Sequence, residues 1–247
     1  AYGETTVNYN RDVEIFPVLN TIFEKIYGES PYKSPPDRGV NMAGNCICDD
    51  EACREASKQE IIRRYFDALN ALAKGSTSEK EAQKIELLMN MAGITVTDRK
   101  VVIKALERAK ETDGPAAALE LRDGRIITGK TTNLLGASAA LLLNVLKVLA
   151  GIDHETHIIS PESIEPIQKL KVDYLKSKNP RLHTDEVLIA LSASAATNPQ
   201  ARLALSQLPE LAGCQAHTSV MLSDVDIKIF KKLEVQLTSE AVYEHAL

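Results

Sequence analysis

The sequence predicts a mixed α/β protein in which a helical bundle precedes a three-layer α/β domain. Three observations lead to this class. Apolar residues recur at helical spacing through the first half of the 247-residue chain. After Gly114-Pro115, short apolar runs alternate with helical segments, which is typical of layered α/β folds. Asp123-Gly124 lies between two of these runs and predicts a hairpin turn. We place the bundle at residues 1–113 and the α/β domain at residues 114–247.

The bundle is predicted from apolar residues spaced three and four apart, which form one face of a helix. The first helix follows Asn10 and ends at Gly28. Three further helices begin near Asp50, Ser78 and Thr97, each a residue type that caps helix starts. Short connections between them are typical of a small helical bundle.

The second half opens with a predicted hairpin. Residues 116–121 and 125–130 form its strands, and Gly124 accepts the positive φ that a tight turn requires. The helix predicted over residues 134–149 is apolar all round, which indicates burial on both sides. The remaining predicted strands are 157–160, 216–222 and 234–238, and the remaining helices are 161–176, 185–196, a short one from Pro199, and 225–232.

Composition limits the classes of function. Apolar residues make up 44% of the chain and charged residues 26%, so the sequence can bury a core and is not intrinsically disordered. The net charge is −5 and aromatic residues are only 4%. Binding to a phosphate backbone needs clustered basic residues, and base stacking needs aromatic platforms. We therefore expect neither a nucleic-acid partner nor, given that the apolar stretch 134–152 is short and interrupted by polar residues, a membrane partner.

Cysteine usage indicates a reducing, cytoplasmic location. The chain has Cys46, Cys48, Cys53 and Cys214, too few for a disulfide scaffold. The first three resemble part of a metal site, but a structural zinc site needs four ligands, usually in closely spaced pairs. We interpret all four as reduced thiols and predict no metal.

One segment matches the pattern of a phosphate-binding loop. Residues 124–131 read GRIITGKT and fit G-x-x-x-x-G-K-[ST]. The stiff β-branched residues in its middle favour an extended strand, so a hairpin is the preferred interpretation and a nucleotide loop the alternative. In both cases Lys130, Thr131 and Asn133 lie where a strand ends and a helix begins, and we predict that they bind substrate.

Two asparagine-rich segments are further binding candidates. Asn8, Tyr9 and Arg11 precede the first helix, and Asn41 and Asn45 close a long irregular stretch. Backbone N–H groups at helix starts attract anions, so these side chains are predicted to contact substrate. Turn formation and helix capping explain the same residues equally well.

Catalytic candidates are few. His183 precedes a helix cap and is either an acid–base group or a structural residue of the cap. Arg11 and Asp12 are the other candidates. The segment 153–157, DHETH, contains potential metal ligands, but a polar turn is the preferred interpretation.

Four segments resemble one protein family. They are TTVNYNRDVEIFPVLNTIFEKIYG, GVNMAGNCICDDEACREASKQEIIRRY, TGKTTNLLGASAALLLNVLKVLAGIDH and NPRLHTDEVLIALSASAATNP. Together they resemble a bacterial family defined by a conserved domain of unknown function. The resemblance implies that this chain is the C-terminal half of a protein about twice as long. It also implies that the N-terminal half binds ATP or a related nucleotide through a phosphate loop and is a partner of this half. The family supplies no catalytic residues.

Residues 115–180 also resemble, more loosely, the start of a cytidine-deaminase-like domain. In that fold a His/Cys-x-Glu and a Pro-Cys-x-x-Cys motif hold zinc. Here the matching positions read Gly136-Ala137-Ser138 and Ser160-Pro161-Glu162, without ligands. A deaminase-like fold without the zinc site is the implication, and it says little about function.

These observations lead to one main functional hypothesis. The chain is expected to be part of a cytoplasmic nucleotide-dependent enzyme and to supply loops that bind a small-molecule substrate. The alternative is a non-enzymatic binding module or one that forms homo-oligomers. A zinc-dependent deaminase is disfavoured because the ligands are missing.

Overall fold

The computed structural model describes residues 10–29 and 50–244 of the chain. Their helices are α1 (Asn10–Tyr27), α2 (Asp50–Ala73), α3 (Glu79–Met91), α4 (Lys100–Thr112), α5 (Ala137–Leu149), α6 (Pro161–Lys169), α7 (Thr184–Ser194), α8 (Pro199–Leu205) and α9 (Asp224–Lys232). The strands are β1 (Ala116–Glu120), β2 (Ile126–Lys130), β3 (Gln215–Thr218) and β4 (Gln236–Ser239). Short 3₁₀ turns cover Val96–Asp98 and Leu208–Leu211, and a π-helical turn covers Leu170–Tyr174.

The chain divides into two compact units, residues 1–99 and 100–247. In the first unit, α2 contacts α3, and α3 contacts α1. Buried side chains of α2 and α3 carry its apolar core: Ile61, Ile62, Phe66, Ala82, Leu88 and Met89. None of the described helices is both long and apolar enough to cross a membrane.

The second unit is built on a four-stranded mixed sheet with the order β2-β1-β3-β4. The strands β1 and β2 form the predicted antiparallel hairpin, with Ala117 opposite Gly129. The strand β3 pairs with β1 in the antiparallel sense and with β4 in the parallel sense. The prediction of a mixed α/β protein is thus confirmed.

Helices cover both faces of this sheet. Ala118 of β1 packs with Val101 and Ala105 of α4 on one face. Its neighbours Ala117 and Leu119 point to the opposite face because strand side chains alternate, and they join the main core with α5. Helices α7 and α8 contact α5 in turn, so α5 is buried from two sides, as its apolar sequence predicted.

The second unit begins at Lys100, whereas the sequence placed the start of the α/β domain at residue 114. Helix α4 is the cause, because it contacts β1, β2 and β3 and supplies one layer of the α/β unit. Its amphipathic pattern shows one apolar face and cannot reveal whether helices or a sheet cover that face.

The sequence also predicted a strand over residues 157–160, which the structure does not form. Ile158 and Ile159 are buried in the main core without regular structure. The structure has an isolated parallel β-bridge that the sequence did not predict. It joins Leu135, just before α5, to Leu182.

Candidate functional site

A cavity of about 350 Å³ opens in the second unit beside β2 and α5. Its wall is largely apolar, and most of it comes from α5 and from the segments that flank α5. The apolar lining residues are Leu134, Leu135, Ala140, Leu143, Ile158, Ile159, Pro161 and Ile164. A cavity of this size accommodates a small organic molecule.

The polar side chains of the cavity are mostly basic. Arg108 comes from α4, Lys130 from the end of β2, and Lys147 from the last turn of α5. His154 and His157 come from the turn that follows α5. Among the described residues that line the cavity there is no Asp or Glu. The cavity therefore favours an anion on electrostatic grounds.

Lys147 is a half-buried cation of the cavity. Its Nζ donates a hydrogen bond of 2.7 Å to the carbonyl oxygen of His154. Burial lowers the pKa of Lys147, and the nearby carboxylates of Glu155 and Asp153 act in the opposite direction. An anion in the cavity would favour the charged amine and relieve this cost of burial.

Two further polar groups are held by the sheet and by α4. Asn144 Nδ2 donates to the carbonyl oxygen of Thr128 in β2 at 2.9 Å, which fixes the amide against the strand edge. Arg108 Nη1 donates to Glu111 Oε2 at 3.1 Å, which holds the guanidinium on the surface of α4. Both side chains enter the cavity from regular elements rather than from loops.

The predicted substrate residues after β2 have different environments. Lys130 lines the cavity. The backbone N–H of Thr131 donates to Pro115 O at 2.9 Å, and its hydroxyl is buried with no hydrogen-bond partner in the described part of the chain. Asn133 uses its carbonyl oxygen to accept from Gln168 Nε2 at 2.9 Å, so its backbone braces α6. Of these three residues, only Lys130 is among those lining the cavity.

The GRIITGKT segment is a turn and a strand. Gly124 has a φ of +83° in the turn, and Arg125 N–H donates to Asp123 Oδ1 at 3.0 Å. Gly129 lies in β2, paired with Ala117. The hairpin interpretation is therefore confirmed, and the alternative of a phosphate loop at this segment is wrong, because the residues that would cradle phosphate are committed to a sheet.

His183 belongs to a second polar cluster, at the start of α7. Its Nδ1 lies 3.0 Å from Oδ2 of Asp226, in the first turn of α9. Ser223 Oγ also donates to Oδ2, at 2.8 Å. The other carboxylate oxygen, Oδ1, accepts from the backbone N–H of Thr184 at 2.9 Å and from its hydroxyl at 2.8 Å.

These hydrogen bonds shift the pKa values of both His183 and Asp226. The hydrogen bond to Asp226 raises the pKa of His183; burial and Lys171 oppose the rise, while the charges of Asp226 and Glu186 add to it. Burial alone would raise the pKa of Asp226, but hydrogen bonds from His183, Thr184 and Ser223 outweigh it and lower the pKa to about 2. Asp226 is therefore a buried carboxylate anion at neutral pH.

A lysine–glutamate pair lies beside His183 and Asp226. Lys171 Nζ is 2.7 Å from Glu186 Oε2 and 2.6 Å from the carbonyl oxygen of Arg181. Glu186 Oε2 also accepts the backbone N–H of His183 at 2.8 Å. The pair thus anchors the backbone of His183 to the π-helical turn that carries Lys171.

Several predicted residues cannot be compared with the structure. Asn8, Tyr9, Asn41 and Asn45 lie outside the described residues, as do Cys46 and Cys48. Arg11, Asp12 and Cys53 lie in described helices, but their side chains fall outside the description.

Cys214 is a free, buried thiol whose Sγ lies 3.6 Å from Glu210 O. Burial raises the pKa of Cys214 and makes the thiolate less accessible. This environment agrees with the interpretation of Cys214 as a reduced structural thiol.

The DHETH segment forms a turn, in which Glu155 N–H donates to Asp153 Oδ1 at 2.9 Å. Across the described residues, no three His, Cys, Asp or Glu side chains converge as metal ligands would. The sequence reasoning missed the place of His154 and His157 in the cavity, together with Arg108 and Lys147. A lysine in a predominantly apolar, buried helix was the signal available for Lys147.

Family models match almost the whole chain. Residues 97–247 match the model described as "Domain of unknown function DUF1846, C-terminal", and residues 1–93 match its N-terminal counterpart. The chain belongs to the DUF1846 family. Within this family, a UPF0371 protein from Corynebacterium aurimucosum is 59% identical over 243 residues, covering 98% of this chain and 49% of the relative. A UPF0371 protein from Streptococcus thermophilus is 52% identical over 244 residues, with 99% and 49% covered.

The chain spans about half the length of these DUF1846 relatives. The match at residues 1–93 corrects one expectation, namely that the N-terminal domain of the family lies wholly outside this chain. A separate N-terminal domain as a partner is accordingly not supported.

Proposed function

We propose that this chain binds a small anionic molecule with an apolar body in the cavity beside α5, as part of a cytoplasmic, nucleotide-dependent enzyme. The observation that carries the proposal is the set of basic side chains on an apolar wall that lacks carboxylates among its described lining residues. Lys130 and Lys147 supply the charge, and Leu135 and Leu143 belong to the apolar surface.

The chemistry of the cavity favours a phosphate or carboxylate headgroup. Lys147 is half-buried, where an ionic hydrogen bond is stronger than in water. Its present acceptor is a neutral carbonyl oxygen, that of His154. An anionic oxygen is a better acceptor for an ammonium group than a neutral carbonyl. The apolar wall then provides a binding surface for the hydrocarbon part of the same molecule.

Dependence on a nucleotide has a different basis. It rests on the resemblance of the chain to a family whose members are about twice as long. In this proposal the cavity holds the second substrate and the nucleotide binds elsewhere. No nucleic-acid partner is proposed, because the net charge of −5 and the 4% of aromatic residues do not favour binding to a phosphate backbone or stacking on bases.

Hexyl phosphate is a suitable probe because two analogues share its hydrocarbon body. Hexanol lacks the charge, and hexylamine reverses it. We expect hexyl phosphate to raise the unfolding temperature, since a ligand that binds only the folded state stabilises it. Hexanol should have a smaller effect and hexylamine none. Titration calorimetry should show that Lys147→Gln weakens hexyl phosphate binding by roughly tenfold, the effect of losing one charged hydrogen bond.

Lys228→Gln is the matched control. It removes the same charge from an exposed position on α9 that does not line the cavity, so it should leave binding unchanged. If both variants weakened hexyl phosphate binding equally, the loss would follow from the change in net charge, and the proposal would be contradicted. Binding of hexyl phosphate that Lys147→Gln leaves unchanged would contradict the proposed anion site.

A further inference from the structure

We propose that His183 and Asp226 form a second functional site, in which the His183 imidazole exchanges a proton with a bound water or hydroxyl group and the Asp226 carboxylate orients the ring. This site is separate from the proposed anion pocket, because neither residue lines that cavity. The proposal therefore does not depend on the proposed function.

The geometry of the carboxylate is the first argument. Asp226 is 3% exposed, and each of its oxygens accepts two hydrogen bonds, so its position is fixed from both sides. Three of these bonds come from Thr184 and Ser223, which bind the carboxylate without needing a histidine. The fourth hydrogen bond, from Nδ1 of His183 to Oδ2, orients the imidazole ring.

The geometry of the imidazole is the second argument. Because Asp226 is ionised, Nδ1 of His183 carries the proton of their hydrogen bond, and Nε2 is left as the atom that gains and loses a proton. The His183 side chain is 33% exposed while that of Asp226 is 4% exposed. A buried carboxylate thus supports a ring that solvent reaches, as the aspartate supports the general-base histidine of a Ser-His-Asp triad.

The proton balance of the step is simple. Nε2 takes a proton from water or a hydroxyl group as the oxygen attacks an acyl carbon, so that one O–H bond breaks while a C–O bond and an N–H bond form. The imidazolium is stabilised by Asp226 and returns its proton to the leaving oxygen as the bond between the acyl carbon and that oxygen breaks, so the N–H bond breaks and a new O–H bond forms. The charged groups facing the ring are Asp226 from α9, Lys171 from the π-helical turn and Glu186 from α7.

The hydrolysis of p-nitrophenyl acetate tests this site in the intact chain, because the reaction needs only water and a general base or nucleophile. We expect a rate above that of buffer, rising with pH through the pKa of His183. That pKa should be measured independently by NMR titration of the His183 ring. A midpoint that differs from the NMR value, or an NMR pKa at or below 6.5, would overturn the proposal even if no variant folds.

Variants separate catalysis from structure. His183→Gln should abolish the rate above buffer, while His245→Gln, which removes a different imidazole, should leave it unchanged. Asp226→Asn should lower the rate by about tenfold and move both the pH midpoint and the NMR pKa of His183 downward, since the carboxylate no longer stabilises the imidazolium. An unchanged rate in folded His183→Gln would show that His183 is only part of a helix cap.

Discussion

The backbone of Leu141 occupies the space where a side chain on Gly129 would stand. A Cβ built on Gly129 would lie 2.2 Å from the backbone nitrogen of Leu141 and 2.5 Å from its Cα. Helix α5 therefore rests directly on β2, and this close approach also brings Lys147 and Asn144 of α5 beside the cavity. The glycine matters here for its missing side chain, since the residue lies in a regular strand.

Gly129→Ala should destabilise the protein by about 3 kcal/mol or more, because the methyl group would have to displace helix backbone rather than a flexible side chain. Chemical denaturation measures the change. Gly114→Ala is the control, since its Cβ would meet nothing closer than 3.8 Å, and we expect a change within about 1 kcal/mol. Equal effects of the two substitutions would refute the proposed contact between α5 and β2.

The hairpin that carries Gly129 was predictable because its information is local. Asp123-Gly124 specifies the turn, and the β-branched residues after it specify a strand. The boundary of the second unit was not predictable in this way. Helix α4 has the amphipathic pattern of a bundle helix, and only the three-dimensional pairing of Val101 with Ala118 assigns it to the sheet.

Acid should remove a defined part of the stability through Asp226. Its pKa is lowered from 3.8 to about 2, so its contribution is present above pH 3.8 and is lost as the pH falls towards 2. We expect this group to account for about 2 kcal/mol of the loss. Urea denaturation across this range should show a shallower pH dependence for Asp226→Asn than for the natural chain; parallel curves would contradict the assignment.

The opposite sign applies to His183. Its pKa is raised above 6.5 in the folded state, so its contribution is complete below pH 6.5 and is lost as the pH rises through the folded value. His183→Gln should therefore flatten the fall in unfolding free energy on the alkaline side of 6.5. If the variant and the natural chain lose stability in parallel there, the histidine is not linked to folding in this manner.

Anion binding should be accompanied by proton uptake. In the empty cavity, burial holds the pKa of Lys147 below 10.5, and a bound anion raises it again. Calorimetry of hexyl phosphate binding between about pH 8 and 10, in buffers with different ionisation enthalpies, should show net proton uptake. Lys147→Gln should remove it, and uptake that persists in this variant would point to another group.

The buried lysine of the second cluster should contribute to stability as one half of a pair. Lys171→Met leaves Glu186 and the carbonyl of Arg181 without their donor, and we expect a loss of about 3 kcal/mol, as for other pairs that lose one partner. Lys178→Met, at an exposed position on the same stretch of chain, should change stability by less than about 0.5 kcal/mol. A neutral Lys171→Met would indicate that the methionine packs as well as the pair.

The two candidate sites differ in how far the sequence revealed them. Lys130 was predicted because strand ends commonly carry ligand-binding residues. His183 was a candidate from its place before a helix, but its partner Asp226 lies 43 residues later, and no local pattern connects them. Ile158 and Ile159 were predicted to form a strand because a short β-branched run favours one. In the structure they are buried in the core without regular secondary structure.

The hydrogen bond from Asn144 to Thr128 has a consequence for the outer margin of the sheet. In the described residues β2 is an edge strand, flanked only by β1, and such a strand can recruit a strand from another molecule. Asn144 occupies one of its outward carbonyl groups, and Lys130 places a charge at its end. Asn144 and Lys130, which line the cavity, thus also disfavour pairing of β2 with a strand of another molecule.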